Sequence, residues 1–578
     1  MLLPRMSLGG APLPQPLMPS EAARLRRIFR LQATGAIAEA TRDTERLDSS
    51  TALGQGLLGH VLADRYLGPF TRSKAEELQA WLARYADRPD ASDIYALLLV
   101  RLPHGATAPV KPVLARMPES DGGPAAAMPE EIAAPDERIL RNPALDRDVM
   151  EAAHRNGAAV VRLLAHTSGL SPAYGSLLRG EAARALFTQG RDEEALMLGS
   201  QGIYACGRSP AADCRLPALP GYVAGLAAWR LGRIDAARAL FEAAWRAPLG
   251  ASSLRAAAAF WAARAHLQSR DPSQYASWLG RASAERYTFY GLLARRMLGL
   301  SIGSGPGERE LGGREMLSQA DIEAVQATPQ GELAFALLQI GQRDRAEAEL
   351  RLLWPQMTGS VPLARAVMLV ADRAGLPELA ARIADHLQAQ DGRPRLSTRF
   401  YVPRLRPDGG FRIDPALVYA LARAESNFDA GMVSAAGARG LLQIMPETAS
   451  FIVGGQGGGA RLTRALHDPA VNLDLGQRYV AYLAGYPAVG GNLVRLLAAY
   501  NAGPASLARW GDSIADGGDP LLFMESIPID ETRAYVPRVL TYCWIYAERL
   551  RLPTPSLDDL ARGTVPRYAD MTEPPVIH

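Results

Sequence analysis

A helix, a glycine and a second helix carrying a small residue near its start recur four times along this chain. The copies are Gln189-Gly190-Arg191 with Ala195, Leu231-Gly232-Arg233 with Ala237, Ile340-Gly341-Gln342 with Ala346, and Ala374-Gly375-Leu376 with Ala380. A tight turn between helices calls for positive φ, which glycine adopts without steric cost, and a small residue lets the second helix cross the first closely. The pattern predicts a solenoid of helical hairpins. The last two glycines stand about 34 residues apart, the tetratricopeptide spacing. The other spacings are irregular and no copy has the full signature of that repeat, so the segment is repeat-like. Composition agrees: aromatics make up only 7% while alanine and leucine abound, which favours helix over sheet. The fold class expected is all-α.

A chain of 578 residues is too long for one hydrophobic core. Breaks in periodicity divide it into 1–20, a disordered start or leader remnant; 21–102, an N-terminal helical segment; 103–135, a proline-rich linker or excursion; 136–395, the α-superhelical repeat-like domain; and 396–578, a domain of different character. The last boundary falls in Asp391 to Gly410, where Pro394, Pro403, Pro407 and a Gly-Gly pair interrupt the pattern. Trp229, Phe241, Trp245, Phe260, Trp261, Trp278, Tyr287, Phe289 and Tyr290 fall near helix faces and read as stacking between repeats.

With 63 basic and 60 acidic residues the net charge is only +3, so the chain lacks the basic stripe of a nucleic-acid binder. Arginine-rich stretches such as Ala22 to Arg30 read as solvated faces with ion pairs. Cys206, Cys214 and Cys543 match no zinc spacing, and no metal is expected. Cys206 and Cys214 bracket a short loop and either form a local disulfide in an oxidising compartment or stay as thiols, whereas Cys543 sits among aromatics and reads as packing. No apolar run approaches the roughly 20 residues of a membrane span. Met1 to Pro19 is too interrupted by proline for a signal-peptide centre, so the expectation is a removed leader or a native start elsewhere.

Beyond Gly410 the text is dense in motifs. Asp414-Pro415 reads as a helix start, with aspartate as cap and proline in the first turn. Leu417, Val418, Leu421 and Ala422 form an apolar face on which Glu425 also falls, and Phe428 and Gly431 close the helix soon after. Apolar neighbours and the negative end of the helix dipole both disfavour a carboxylate, which raises its pKa toward that of a working general acid. On this helix alone, a buried glutamate held by a salt bridge remains equally open.

The surrounding motifs decide between the two. They are Glu425-Ser426-Asn427-Phe428, then Gly440-Leu441-Leu442-Gln443-Ile444-Met445-Pro446, then Ala499-Tyr500-Asn501-Ala502-Gly503-Pro504. Asp468-Pro469, Asn472, Gly476, Glu525-Ser526-Ile527-Pro528 and Glu531-Thr532-Arg533-Ala534-Tyr535-Val536 follow. In order and spacing this text resembles the soluble lytic transglycosylases of bacteria, whose motifs read E-S-x-F, G-L-M-Q-x-M-P and A-Y-N-A-G-P. More weakly, Phe260-Trp261-Ala262-Ala263-Arg264 and Thr288-Phe289-Tyr290-Gly291-Leu292 look like that family's superhelical segment. Departures are Leu442 in place of methionine, a volume-conserving change, and Ile529 where phenylalanine commonly follows the proline.

The resemblance implies a lysozyme-like α-helical catalytic domain after an N-terminal superhelix, acting on peptidoglycan glycan strands in the periplasm, with no cofactor and no metal. It implies Glu425 as the acid/base, Ser434 holding substrate near the reacting sugar, Gln443, Met445, Tyr500 and Asn501 lining the cleft, and Glu525 on its rim. Core packing is an equally simple role for Met445. The reaction implied is cleavage between N-acetylmuramic acid and N-acetylglucosamine with a 1,6-anhydro end. Two alternatives stand beside it: a hydrolytic lysozyme drawing a second carboxylate from Asp429, Glu447, Glu525 or Asp530, and a non-catalytic glycan-binding scaffold.

Overall fold

The computed structural model describes residues 11–103, 106–117, 139–204, 215–302, 315–391, 395–455 and 459–568. Among these, helices dominate and the only β pairing is in isolated bridges. Cys206, Cys214, residues 1–10 and most of the proline-rich stretch lie outside the described residues.

Every one of the four repeat glycines turns a helical hairpin. Gly190, Gly232, Gly341 and Gly375 have φ of 76°, 73°, 84° and 73°. They join Pro172–Thr188 to Asp192–Ile203, Leu219–Arg230 to Ile234–Arg246, Pro329–Gln339 to Arg343–Arg351, and Val361–Ala374 to Pro377–Asp391. The small residues do what crossing helices require, for Ala195, Ala237, Ala346 and Ala380 are all fully buried. A further hairpin, Ser252–Gln268 with Pro272–Ala284, escapes the glycine pattern because Arg270 takes the left-handed position at φ 58°.

The chain divides into two compact units, each made of two stretches far apart in sequence: 1–120 with 308–401, and 121–307 with 402–578. In the first, Leu57 and Val61 of helix Ala52–Leu67 share a core with Leu333 and Phe335 of helix Pro329–Gln339. Residues 11–18, part of the start expected to be disordered, run against this core without helix. Ala11 N–H donates to the Leu317 carbonyl, and Leu17 exchanges backbone hydrogen bonds with the Gln339 side chain. Recurrent proline suits such an extended segment because it has no N–H to satisfy.

In the second unit the solenoid hairpins pack on the C-terminal domain. Trp229 meets Trp261 edge-on at 5.2 Å and Trp245 meets Trp278 at 5.3 Å, while Phe289 stacks on Trp544 of the long helix Asp530–Leu550 at 5.2 Å. The rings named from sequence thus serve as packing between helices. Polar ties accompany them, including Arg264 to Asp519 at 2.7 Å.

Candidate active site

Helix Pro415–Ser426 starts as its sequence dictates: the Asp414 carboxylate accepts from Ala416 N–H at 2.8 Å. Its sequence pattern offered one apolar face, but the structure buries every residue from Pro415 to Ala424, Tyr419 and Arg423 included. This is a core helix, and Tyr419 is accommodated by donating its hydroxyl to the Pro403 carbonyl at 2.6 Å. It ends one residue after Glu425, where Asn427 takes the left-handed conformation at φ 53°.

Glu425 is the point at which this buried helix reaches solvent, and it remains partly exposed. Its Oε1 accepts from the Tyr535 hydroxyl at 2.5 Å. The carboxyl is pushed up to about 7, first by loss of solvation, with the Tyr535 hydrogen bond opposing and the negative charge of Glu531 adding to the rise.

The loop after this helix carries Ser434, Gln443 and Met445, and three side chains pin it. Ser426 Oγ donates to the Leu441 carbonyl at 2.8 Å, and the Tyr500 hydroxyl donates to the Leu442 carbonyl at 2.8 Å. Asn472, fully buried, accepts from Leu442 N–H and donates to the Arg439 and Leu466 carbonyls. The loop lies so close to its neighbours that a Cβ on Gly440 would stand 2.2 Å from the Leu466 carbonyl oxygen, and one on Gly476 2.1 Å from Leu442 Cδ1.

Within that loop, Ser434 accepts from Ala438 N–H at 3.0 Å. Gln443, at φ 46°, donates through Nε2 to the Gly440 carbonyl at 2.8 Å, while its Oε1 is buried with no hydrogen-bond partner among the described residues. Met445 caps helix Pro446–Ile452 and keeps part of its surface open. Asn501, at the end of helix Leu493–Ala502, donates to Glu531 at 3.2 Å and accepts from the Thr532 hydroxyl at 2.6 Å.

Glu525 stands apart from this group. Its Oε1 accepts from the Tyr222 and Tyr290 hydroxyls at 2.7 and 2.8 Å, and its Oε2 from Arg184 at 3.2 Å. Those solenoid side chains occupy the carboxylate expected on the cleft rim, and it is Glu531 whose charge reaches Glu425. Tyr535 and Glu531 were within the motif text but had no role readable from it, because they approach Glu425 only through folding, Tyr535 across 110 positions of sequence.

Comparison with known proteins bears on this site directly. Residues 407–520 match the model of the transglycosylase SLT domain. The soluble lytic murein transglycosylase of Escherichia coli K12 is 35% identical over 169 residues, which are 28% of this chain and 24% of that relative. The membrane-bound lytic murein transglycosylase C of Haemophilus influenzae strain PittGG is 32% identical over 143 residues, 23% of this chain and 38% of that one. The match thus spans about a quarter of the length of the first relative. In architecture, an inactive mutant of the lytic transglycosylase Slt from Pseudomonas aeruginosa aligns with 95% of this chain and 90% of its own, at TM-score 0.55 and 20% identity. Residues 407–520 thus carry the sequence of a transglycosylase SLT domain, within an all-helical fold similar to that of the Pseudomonas aeruginosa Slt structure.

Proposed function

We propose that this protein is a lytic transglycosylase that cleaves the β-1,4 bond between N-acetylmuramic acid and N-acetylglucosamine in peptidoglycan, leaving a 1,6-anhydromuramoyl end. The observation that carries the reading is Glu425: a partly open carboxyl held near 7 and touched by one tyrosine hydroxyl. Near neutral pH such a group exists in both forms, as a residue that gives and then takes a proton requires.

In the reaction proposed, Glu425 gives its proton to the glycosidic oxygen as the bond from C1 of the muramic sugar breaks, the bonding pair leaving with that oxygen. The sugar's own C6 hydroxyl attacks C1, and its proton passes to the Glu425 carboxylate, restoring the acid. Because the nucleophile is tethered to the reacting carbon, it acts at high effective concentration. Tyr535 steadies the carboxylate between the two transfers. Gln443 braces the loop beside Glu425 through its Nε2 bond to the Gly440 carbonyl. Ser434, Met445, Tyr500 and Asn501 are the residues proposed to hold the sugar, and Glu531, hydrogen-bonded to Asn501, adds its charge to the field at Glu425.

Hydrolysis would need a second carboxylate set to activate water. Of the four weighed from sequence, Glu525 is held by Arg184 and two tyrosines, Asp429 accepts from Gly431 N–H, and Asp530 pairs with Arg533. Glu447 remains exposed. These engagements favour the intramolecular route. Action on peptidoglycan also puts the protein in the periplasm. Mass analysis of digested peptidoglycan tests the reading: anhydro-muropeptides are expected as the main product, and fragments reducible by borohydride would establish a hydrolase instead.

A further inference from the structure

Aromatic side chains rarely stay in water without a reason, since burying one gains apolar contact. On the C-terminal domain a line of them does. Phe451 is 58% exposed and Tyr482 39% exposed, and the two rings meet edge-on at 5.0 Å. Tyr482 lies nearly parallel to Tyr479, one helical turn earlier on Pro469–Ala484, with centroids 6.3 Å apart and planes 15° apart. Tyr479 in turn lies 5.5 Å from the ring of Tyr500, whose hydroxyl holds the loop beside Glu425. The line therefore runs from open surface to the reaction centre.

Folding does not account for its outer end. Helix Pro446–Ile452 buries only Ala449, so Phe451 contributes little to any core. A protein partner is a poor match as well, because a stable interface takes roughly 800 Å² from each side and a few rings fall short of that. A pyranose ring, with an apolar C–H face and a rim of hydroxyls, fits phenyl and phenol faces whose own hydroxyls stand at the edge.

We propose that Phe451, Tyr482 and Tyr479 form a stacking platform for the glycan strand at a distance from the bond being cut, so that the protein prefers long strands over short ones. This rests on the transglycosylase reading and extends it from the reacting sugars to those further along the strand. The platform acts on binding alone, since it touches no reacting atom.

The test compares the full-length chain with its Phe451→Ala/Tyr482→Ala variant on two substrates: long glycan strands freed of peptide by amidase, and a tetrasaccharide from the same source. The double variant should raise KM on long strands about tenfold, with kcat on both substrates and KM on the tetrasaccharide changed by no more than about twofold. Phe451→Trp, which keeps an aromatic face, should retain the wild-type KM. Equal loss on both substrates, or an unchanged KM on long strands, would overturn the platform while leaving the transglycosylase reading in place. If the wild-type chain turned over neither substrate, both would fall together.

Discussion

A group that must release a proton in one step and recover it in the next works best with a pKa near the operating pH, and Glu425 at about 7 meets that condition. Replacing it with Gln keeps the shape and the acceptor for Tyr535 but removes the proton, so turnover should fall by at least roughly 10²–10⁴-fold. Retention of more than about a percent of activity would remove Glu425 from its role. In the wild type, activity should decline as pH rises through about 7, where the acid form is lost. Stability carries the same signature with a definite sign. The folded carboxyl titrates at about 7 against the ordinary 4.5, so the fold is unpenalised below 4.5, is increasingly destabilised up to about 7, and carries the full cost above that. Glu425→Gln should therefore raise the unfolding free energy of its unit at pH 8 by on the order of 3 kcal/mol and leave it unchanged at pH 4. Tyr535→Phe removes the hydrogen bond that opposes the rise, so the alkaline limb of kcat/KM should move to higher pH while kcat falls. An unmoved limb would mean that the hydroxyl does not act on the carboxyl. That Glu425 lies near the end of a capped helix could be read from its motif, because the helix and its flanking residues are local. Tyr535 and Glu531 could not, since a pKa is set by neighbours in space.

Helical hairpins were legible wherever glycine marks the turn, because a left-handed residue is a local requirement that leaves a local trace. The hairpin at Arg270 shows the limit: the geometry is the same, but arginine tolerates it under tertiary constraint and the trace vanishes. The loop from Ser434 to Met445 adds a second lesson. Its glycines look alike in sequence but differ in what surrounds them. Gly440, at φ 73°, has the Leu466 carbonyl in the place of a Cβ, whereas Gly437, at φ 91°, has nothing within 4 Å. Gly437→Ala should cost only the left-handed strain, about 1–2 kcal/mol. Gly440→Ala adds a clash with backbone that cannot rotate away, and should cost clearly more than about 2 kcal/mol and displace the loop. Comparing denaturant midpoints of the two variants checks this, and equal losses would show that the loop relaxes around Gly440. Leu442, a departure from the family's methionine, meets the same close packing, since its Cδ1 lies where a Cβ on Gly476 would reach.

At the level of the whole chain, a pass along the sequence could delimit segments but not reveal which of them share a core. Unit membership depends on pairs such as Leu57 with Leu333 and Phe289 with Trp544, and nothing local encodes these. One such pairing surrounds His60, a residue that sequence offered no reason to single out. His60 is 1% exposed, with Nδ1 at 3.1 Å from Asp90 and Nε2 at 2.9 Å from Glu349, which is itself fully buried. Arg88 reaches Glu349 at 3.4 Å, and Arg345 bridges Asp90 and Asp64 at 3.1 and 2.8 Å. With a carboxylate against each nitrogen, both must donate, so the ring is an imidazolium. Burial alone would lower its pKa, but the hydrogen bonds and charges of Asp90 and Glu349 raise it above 6.5. The linkage follows: this contribution to stability is complete below 6.5 and is lost as pH rises through the higher folded value. Asp90 sets the other edge. Burial pushes its carboxyl up, but His60 and Arg345 outweigh that and hold it below 3.8, so its contribution is present above 3.8 and is lost as pH falls through the depressed value. Between those limits, His60→Gln should destabilise the unit strongly, by about 3–5 kcal/mol, because it strands buried carboxylates. Above the His60 pKa the difference from wild type should shrink, since the wild-type ring then strands a carboxylate too. Opening free energies from hydrogen exchange in helices Ala52–Leu67 and Arg343–Arg351, corrected for intrinsic rates, measure it. A difference that stayed constant from about pH 6 to pH 10 would mean a neutral imidazole, and a tautomer serving one carboxylate only.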